Sequence, residues 1–261
     1  MSGMRRVSKR PTSAFDVLEG RAQWSVERAD AYRVMRDFPA QAFDHTVTDP
    51  PYNLATHAGK RTQNNQQSSD IDFAPLAVDS RLALDLLRLT DRWVLAFCAL
   101  EQLGAYSVTA GEQWIRSGIW DRLGGMPQLS GDRPAQAAEG IAIMHRPGKK
   151  RWNRGGHAAR WAYPQERQAT RPEHPTPKPV ALMMDLIQCF TEPGDVVLDP
   201  FCGSGSTGVA CLRLNRRFVG FEKDARYAKL ARERLVADER GLSVRDARAG
   251  QASIFDILEA P

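Results

Sequence analysis

The chain has 261 residues, 42% hydrophobic and 26% charged, which suffices for one sizeable core and excludes a disordered or fibrous protein. Its net charge is +5, concentrated in residues 113–180, which carry 12 Lys/Arg against 5 Asp/Glu. A local basic region on a near-neutral body suggests a polyanionic partner such as nucleic acid, although charge alone is equally met by a solvated basic face. The longest apolar run, Trp93–Leu100, is too short to span a bilayer, and the basic start Met1–Pro11 is not followed by an apolar stretch, so neither a membrane span nor a secretory signal is expected. Cys98, Cys189, Cys202 and Cys211 lie far apart with no Cys-x-x-Cys pair, and read as reduced packing thiols of a cytosolic protein.

Residues 1–14 read as a loose basic arm. Ala42–Thr48 ends in a buried strand that stops at Asp49-Pro50-Pro51-Tyr52, because prolines cannot continue a ladder. The polar stretch Asn53–Asp72 is too long for a connector and reads as a lid or mobile segment, with a solvated loop as the alternative. Leu82, Leu86 and Leu89 recur at helical spacing, and Trp93–Phe97 and Ile141–His145 read as buried strands. Arg146–Arg171 holds eight basic residues, one acid and three aromatics, Trp152, Trp161 and Tyr163, with neither period. Val180, Met183, Met184 and Ile187 mark one face of a helix beginning at Pro179. After the turn at Pro193-Gly194-Asp195 come a strand at Val196–Leu198, a glycine loop and a helix carrying Val209 and Leu212. A strand at Arg217–Phe221 and a helix with Tyr227, Leu230, Ala231 and Leu235 on its apolar face follow. Such alternation predicts an α/β fold whose mostly parallel sheet is covered on both faces.

The loop Asp199-Pro200-Phe201-Cys202-Gly203-Ser204-Gly205-Ser206-Thr207-Gly208 follows a strand and opens a helix, and Glu222 lies 19 residues after Gly203 at the end of the next strand. That acid stands where nucleoside-binding sheets place a ribose-hydroxyl acceptor. The pattern Gly203-x-Gly205-x-x-Gly208 also satisfies the dinucleotide fingerprint, and a purely structural glycine turn is the third reading. Asp199 separates the two binding readings. A carboxylate at the loop mouth would repel a pyrophosphate but suits the ammonium end of S-adenosylmethionine, which carries no phosphate.

Asp49-Pro50-Pro51-Tyr52 is the sharpest signal, and the chemistry it fits is methylation of an exocyclic amino group on a base. Such a nitrogen is a poor nucleophile because its lone pair is delocalised into the ring. The Asp49 carboxylate and the Pro50 carbonyl could each accept a hydrogen bond from it, drawing it toward tetrahedral shape. Pro50 and Pro51 fix the backbone, and Tyr52 offers a flat face on which an extruded base stacks. A rigid turn after a strand is the plainer alternative.

Together these residues resemble the amino-group DNA methyltransferases. The Asp-Pro-Pro-Tyr motif and Asp199-x-Phe201-x-Gly203-x-Gly205 are joined by His174-Pro175-Thr176-Pro177-Lys178-Pro179, which is similar to the family's His-Pro-Thr-Gln-Lys-Pro element, with Pro177 in place of Gln. Their order, catalytic motif first and cofactor motif about 150 residues later, matches the permuted β class. The resemblance implies a circularly permuted Rossmann-like methyltransferase with a small inserted target-recognition lobe. It divides the chain into a catalytic half (15–112), strands plus the basic lobe (113–173, the lobe about 146–173), a cofactor-binding half (174–240) and a tail (241–261). It further implies a cofactor pocket of Asp30, Asp49, Pro50, Thr176, Lys178, Asp199, Phe201, Gly203, Ser204, Gly205 and Glu222. In that pocket Asp30 would contact the adenine, Phe201 pack beside the adenosine and Glu222 take the ribose hydroxyls. Read alone, Asp30 is a helix N-cap and Phe201 a core residue.

The partner implied is double-stranded DNA, with Lys149, Lys150, Arg151, Arg154 and Arg160 as phosphate contacts and Trp152 and Trp161 interleaved. A second copy of the chain is a further candidate partner; no metal and no membrane are expected, and the location implied is the cytoplasm, nucleoid-associated in a prokaryote or phage-encoded. In the family, Asp at the first motif position usually accompanies adenine N6 and Ser cytosine N4, so Asp49 favours adenine, reached by base flipping and direct in-line transfer. No nuclease constellation is visible, which leaves a modification-only enzyme. The rivals are a cytosine-N4 methyltransferase, an NAD-dependent oxidoreductase, and a silent nucleic-acid-binding subunit.

Overall fold

The computed structural model describes residues 12–51, 80–124, 134–165 and 177–249. Eight strands form one sheet: β1 (Trp24–Arg28), β2 (His45–Thr48), β3 (Trp93–Cys98), β4 (Trp114–Leu123), β5 (Ala138–His145), β6 (Arg160–Pro164), β7 (Val196–Asp199) and β8 (Arg217–Glu222). Their order is β1-β8-β7-β2-β3-β5-β4-β6. The first five are mutually parallel, β5 runs antiparallel to both β3 and β4, and β6 is parallel to β4. The predicted mostly parallel α/β sheet is therefore present.

Burial on both faces follows from the side-chain alternation of the central strands. On β3, Trp93, Leu95 and Phe97 enter one core with Val197 and Phe218, covered by α5 (Val180–Phe190), α6 (Ser206–Arg213) and α7 (Ala225–Glu239). Val94, Ala96 and Cys98 enter the other with Leu198, Val219 and Phe221, against α1 (Ala14–Leu18), α2 (Ala31–Val34), α3 (Ser80–Leu89) and α4 (Leu103–Ala110). Leu82, Leu86 and Leu89 line the buried side of α3 as their spacing predicts. On α5 the inward face is Leu182, Met183, Leu186 and Ile187, while Val180 and Met184 lie at its margin. All four cysteines are buried free thiols.

Three expectations change. The end of the basic arm is ordered: Ser13 caps α1 in a reciprocal box with Asp16. The tail from 241 contains a short helix, α8 (Val244–Arg248), capped by Ser243. Most importantly, the basic segment is not set apart as a lobe over 146–165: Arg160–Pro164 adds to the sheet as its edge strand, and Trp161 is buried in the main core at 1% exposure. Trp152 packs edge-on against Phe190, so neither indole stands free among the basic side chains.

Candidate active site

The carboxyl ends of β1, β8, β7, β2 and β3 lie along one edge of the sheet, and antiparallel β5 brings its first residues to the same edge. Read along that edge, the chain presents Asp30, Glu222, Asp199, Asp49, Cys98 and Glu139. The chain proceeds from β7 outward to β8 in one direction and from β2 outward to β3 in the other. Asp199 and Asp49 thus flank the topological switch point, where open α/β sheets bind ligands. Residues 150 apart in sequence are brought together here by strand order alone.

Asp49 leaves β2 into the buried Pro50, and its two carboxylate oxygens have different surroundings. Oδ2 accepts a short hydrogen bond from Lys178 Nζ. Oδ1 is buried and, among the described residues, has no hydrogen-bond partner. A buried acceptor without a donor is costly, so this atom is set up for a ligand's N–H. Lys178 also reaches Glu139 Oε2 at 3.2 Å and lies over the rings of Phe97 (4.9 Å) and Trp120 (5.8 Å). Burial alone would push the ammonium down, but the Asp49 and Glu139 carboxylates hold it above the ordinary lysine value. The structure places the Lys178 ammonium between these two carboxylates. Sequence reading missed Glu139, which lies in no motif; the signal was only an acid opening an otherwise apolar strand. Tyr52 and Thr176 lie outside the described residues, as do His174 and the Asn53–Asp72 stretch.

Asp199 is turned inward. Its Oδ1 accepts from Thr48 Oγ1 (2.7 Å) and the Phe201 amide (3.2 Å), and Oδ2 from Thr207 Oγ1 (2.6 Å). Burial pushes its carboxyl up to about 6, against the hydroxyl bonds of Thr207 and Thr48. In this structure it clasps the end of β2 to the start of α6. The loop glycines divide similarly. Gly205 has φ +81, and a Cβ there would come within 3.0 Å of Ala231 on α7; one at Gly208 would come within 2.7 Å of the Phe218 ring. Their lack of a side chain serves helix packing. Ser204 is likewise engaged, its Oγ accepting from Arg234 at 2.9 Å.

What remains open at this end is the group around Glu222. The Gly203 amide donates to its Oε2 (3.0 Å) and the Asp224 amide to its Oε1 (2.7 Å), which fixes the carboxylate at the end of β8. Beside it, Asp30 caps α2 through the Tyr32 amide and pairs with Lys223 Nζ at 2.9 Å, so both readings of that residue meet in one side chain. That pairing, chiefly the hydrogen bond from Lys223, holds the Asp30 carboxyl below its usual range. A cavity of about 480 Å³ opens here, lined by Arg28, Ala29, Asp30, Arg33, Val34, Asp37 and Lys223. Phe201 is half-buried and meets Tyr32 edge-on at 5.9 Å between centroids. The carboxylates of Asp30, Glu222 and Asp49 along this edge fit a phosphate-free nucleoside with a cationic group better than a pyrophosphate. The dinucleotide reading of the glycine loop is not favoured.

In the basic segment, Lys149 and Lys150 are exposed. Arg151 pairs with Glu192 (2.9 Å), Arg154 with Asp185 (2.9 Å) and Arg160 with Asp121 (2.6 Å). Tyr163 also donates to Asp185, at 2.8 Å, so this cluster fastens the segment to α5. Among the described residues, no group of three or more His, Cys, Asp or Glu is placed to hold a metal ion, and no helix is long and apolar enough to cross a membrane.

The parallel sheet with its switch-point crevice, where a buried carboxylate oxygen has no partner among the described residues, is a fold of the Rossmann-like methyltransferase kind. The model of the N6/N4 DNA methylase family matches residues 103–233, half of the chain, and the chain belongs to that family. It is similar to YubD of Escherichia coli (strain K12), named as a methylase, with 29% identity over 226 residues, 82% of this chain and 91% of that one. The crystal structure of the M1.HpyAVI–SAM complex aligns with a TM-score of 0.64 and 25% identity, over 81% of this chain and 98% of that one. PvuII DNA methyltransferase, described as cytosine-N4-specific, aligns with a TM-score of 0.62 over 90% of this chain and 96% of its own, at 13% identity, a likeness of fold alone.

Proposed function

We propose that the protein transfers a methyl group from S-adenosylmethionine to the exocyclic N6 of adenine in duplex DNA. The observation that carries this reading is the buried Oδ1 of Asp49 at the switch point, which has no hydrogen-bond partner among the described residues. S-adenosylmethionine, which supplies an electrophilic methyl group on a sulfonium, suits the residues present: Glu222 would hold the ribose hydroxyls, and Asp30 and Phe201 would flank the adenine. On the substrate side, Asp49 Oδ1 accepts a hydrogen bond from the amino group and the Pro50 carbonyl is a second acceptor. Two such acceptors pull the nitrogen out of conjugation with the ring and direct its lone pair outward. Pro50 and Pro51 hold this geometry before substrate arrives. The base must leave the duplex to reach the site, at a few kcal/mol, which phosphate contacts by Lys149 and Lys150 help to offset.

Adenine is preferred to cytosine because Asp49 stands where N4-type relatives usually carry Ser. The fold leaves that choice open, being shared with a cytosine-N4-specific enzyme. The site has the parts for base modification, and on this reading the protein works on DNA in the cytoplasm, alone or beside a separate nuclease. The test is incubation of unmethylated duplex DNA with the protein and isotope-labelled S-adenosylmethionine, followed by nucleoside analysis. Labelled N6-methyladenine is expected. Labelled N4-methylcytosine would overturn the base assignment, and labelled product on neither base would overturn the DNA reading.

A further inference from the structure

The cavity at the end of β1 brings a donor and an acceptor together from two strands. Arg28 on β1 stands in register with Glu222 on β8, and the Ala29 amide continues the ladder by donating to the Glu222 carbonyl at 3.0 Å. The next residue on each side, Asp30 and Lys223, therefore leaves the sheet from a neighbouring position, and their side chains meet, Nζ to Oδ2, at 2.9 Å. Asp30 Oδ1 accepts from the Tyr32 amide at 3.0 Å, so the carboxylate is held through both oxygens. As a stabilising device the pair does little, because Lys223 is 79% exposed and Asp30 38%, and ion pairs so open to water contribute little to folding. Its hydrogen-bonding capacity is also far from used. An ammonium has three N–H groups and a carboxylate oxygen two lone pairs, and this contact takes one of each.

We propose that Lys223 reads the adenine of S-adenosylmethionine: its ammonium donates to N1 while Asp30, still paired with it, accepts from the N6 amino group. This inference rests on the placement of the adenine beside Asp30 given above, and it makes Lys223 a specificity-determining residue of the cofactor site. An acceptor next to a donor is the complement of the Watson–Crick edge of adenine, whose N6 donates and whose N1 accepts. Hypoxanthine and guanine carry an acceptor at position 6 and a donor at N1, so on this pair like would meet like. Both residues line the cavity of about 480 Å³, which has room for a purine beside the pair without breaking it. Arg28 and Arg33 also line it, but among the described residues neither guanidinium is paired with Asp30; that of Arg28 reaches the Lys223 carbonyl instead, at 3.5 Å. Lys223 is therefore the cation set beside the acceptor. It directly follows Glu222, whose carboxylate is fixed by the Gly203 and Asp224 amides, so the ribose and base contacts come from consecutive residues.

The test is calorimetric binding of S-adenosylhomocysteine, which lacks the sulfonium charge, and of two analogues altered only in the base. One has carbon in place of N1, and the other lacks the 6-amino group. Full-length wild type is compared with Lys223→Met, an exposed position at which the fold is not at risk. In the wild type each analogue should bind about five- to tenfold more weakly than the parent compound, since each leaves one group of the pair without its partner. In Lys223→Met the parent and the analogue without N1 should bind equally, both near the weaker wild-type affinity, while the analogue without the amino group is still discriminated. Comparing ligands within one protein cancels the change in field that comes from losing a cation. Equal binding of the parent and the analogue without N1 by the wild type overturns the proposal. So does tighter binding of the parent by Lys223→Met, which would make the ammonium a placeholder that the adenine displaces. The levels separate cleanly: if only the analogue without the amino group is weakened, Asp30 keeps its role and Lys223 loses it. If neither is weakened, the placement of the adenine beside Asp30 is wrong, and no binding of the parent by the wild type would overturn the cofactor site itself.

Discussion

Asp199 and Gly208 show how closely the glycine loop is tied to the rest of the fold. The Asp199 carboxyl, pushed up to about 6 by burial, titrates near 3.9 in an unfolded chain. The folded state therefore favours its protonated form. Its contribution to stability is complete below about pH 4 and is lost as pH rises through about 6, a change of a few kcal/mol. Unfolding free energies measured across that range should show this decline in the wild type and not in Asp199→Asn; parallel curves would contradict it. At Gly208 an added methyl would lie 2.7 Å from Cε1 of Phe218, inside contact distance of a ring that cannot withdraw from the core. Gly208→Ala should lower the urea unfolding free energy by about 1–3 kcal/mol, and a change below about 0.5 would show that the helix can shift. The sequence pattern singled out both residues, Asp199 as a cofactor contact and Gly208 as the last glycine of the dinucleotide fingerprint; the internal contacts each makes are visible only in the packing.

The elements were legible in proportion to how fully they are buried. Strands β2, β3, β7 and β8 are short runs of apolar or β-branched residues with all or most positions inside, and α3, α5, α6 and α7 show a single apolar face. Strands β1, β4 and β6 were missed. In β4 the run Arg116-Ser117-Gly118 and the pair Asp121-Arg122 interrupt any alternation, because its position near the sheet's margin leaves one side polar. In β6 only Trp161 is fully inside, between exposed Arg160 and Ala162, and five residues are too few to establish a period of two. That strand nevertheless carries part of the core, since Trp161 packs 6.1 Å from Phe190. Trp161→Ala should lower stability by about 3–5 kcal/mol, measured by chemical unfolding, while leaving the salt dependence of DNA binding at its wild-type slope. A changed slope would restore Trp161 to the DNA-facing side.

At the scale of the whole molecule, strand order brings the motifs together. Asp30, Glu222, Asp199 and Asp49 come from four strands that neighbour one another only after the chain has doubled back, so their convergence was legible as motif order but not as geometry. The Lys178–Glu139 contact was not legible at all, since it depends on β5 running antiparallel to β3 and delivering its first residues to the reacting edge. The basic region separates in the same way: Arg151, Arg154 and Arg160 are paired with acids, Arg151 and Arg160 while still largely exposed, and exposed Lys149 and Lys150 meet no acid among the described residues. Reversing both to Glu should weaken DNA binding and flatten the plot of log affinity against log salt by about 2, near 0.9 for each phosphate no longer neutralised. An unaltered slope would move the DNA path elsewhere on the surface. The central claim is that the carboxylate at the switch point acts on the amino group and not on the cofactor. Its most direct test compares Asp49→Ala with wild type in one preparation, measuring S-adenosylmethionine binding and labelled methyl transfer to duplex DNA. Cofactor binding within a few-fold of wild type, with methyl transfer abolished, is the predicted result; transfer at the wild-type rate would contradict the account.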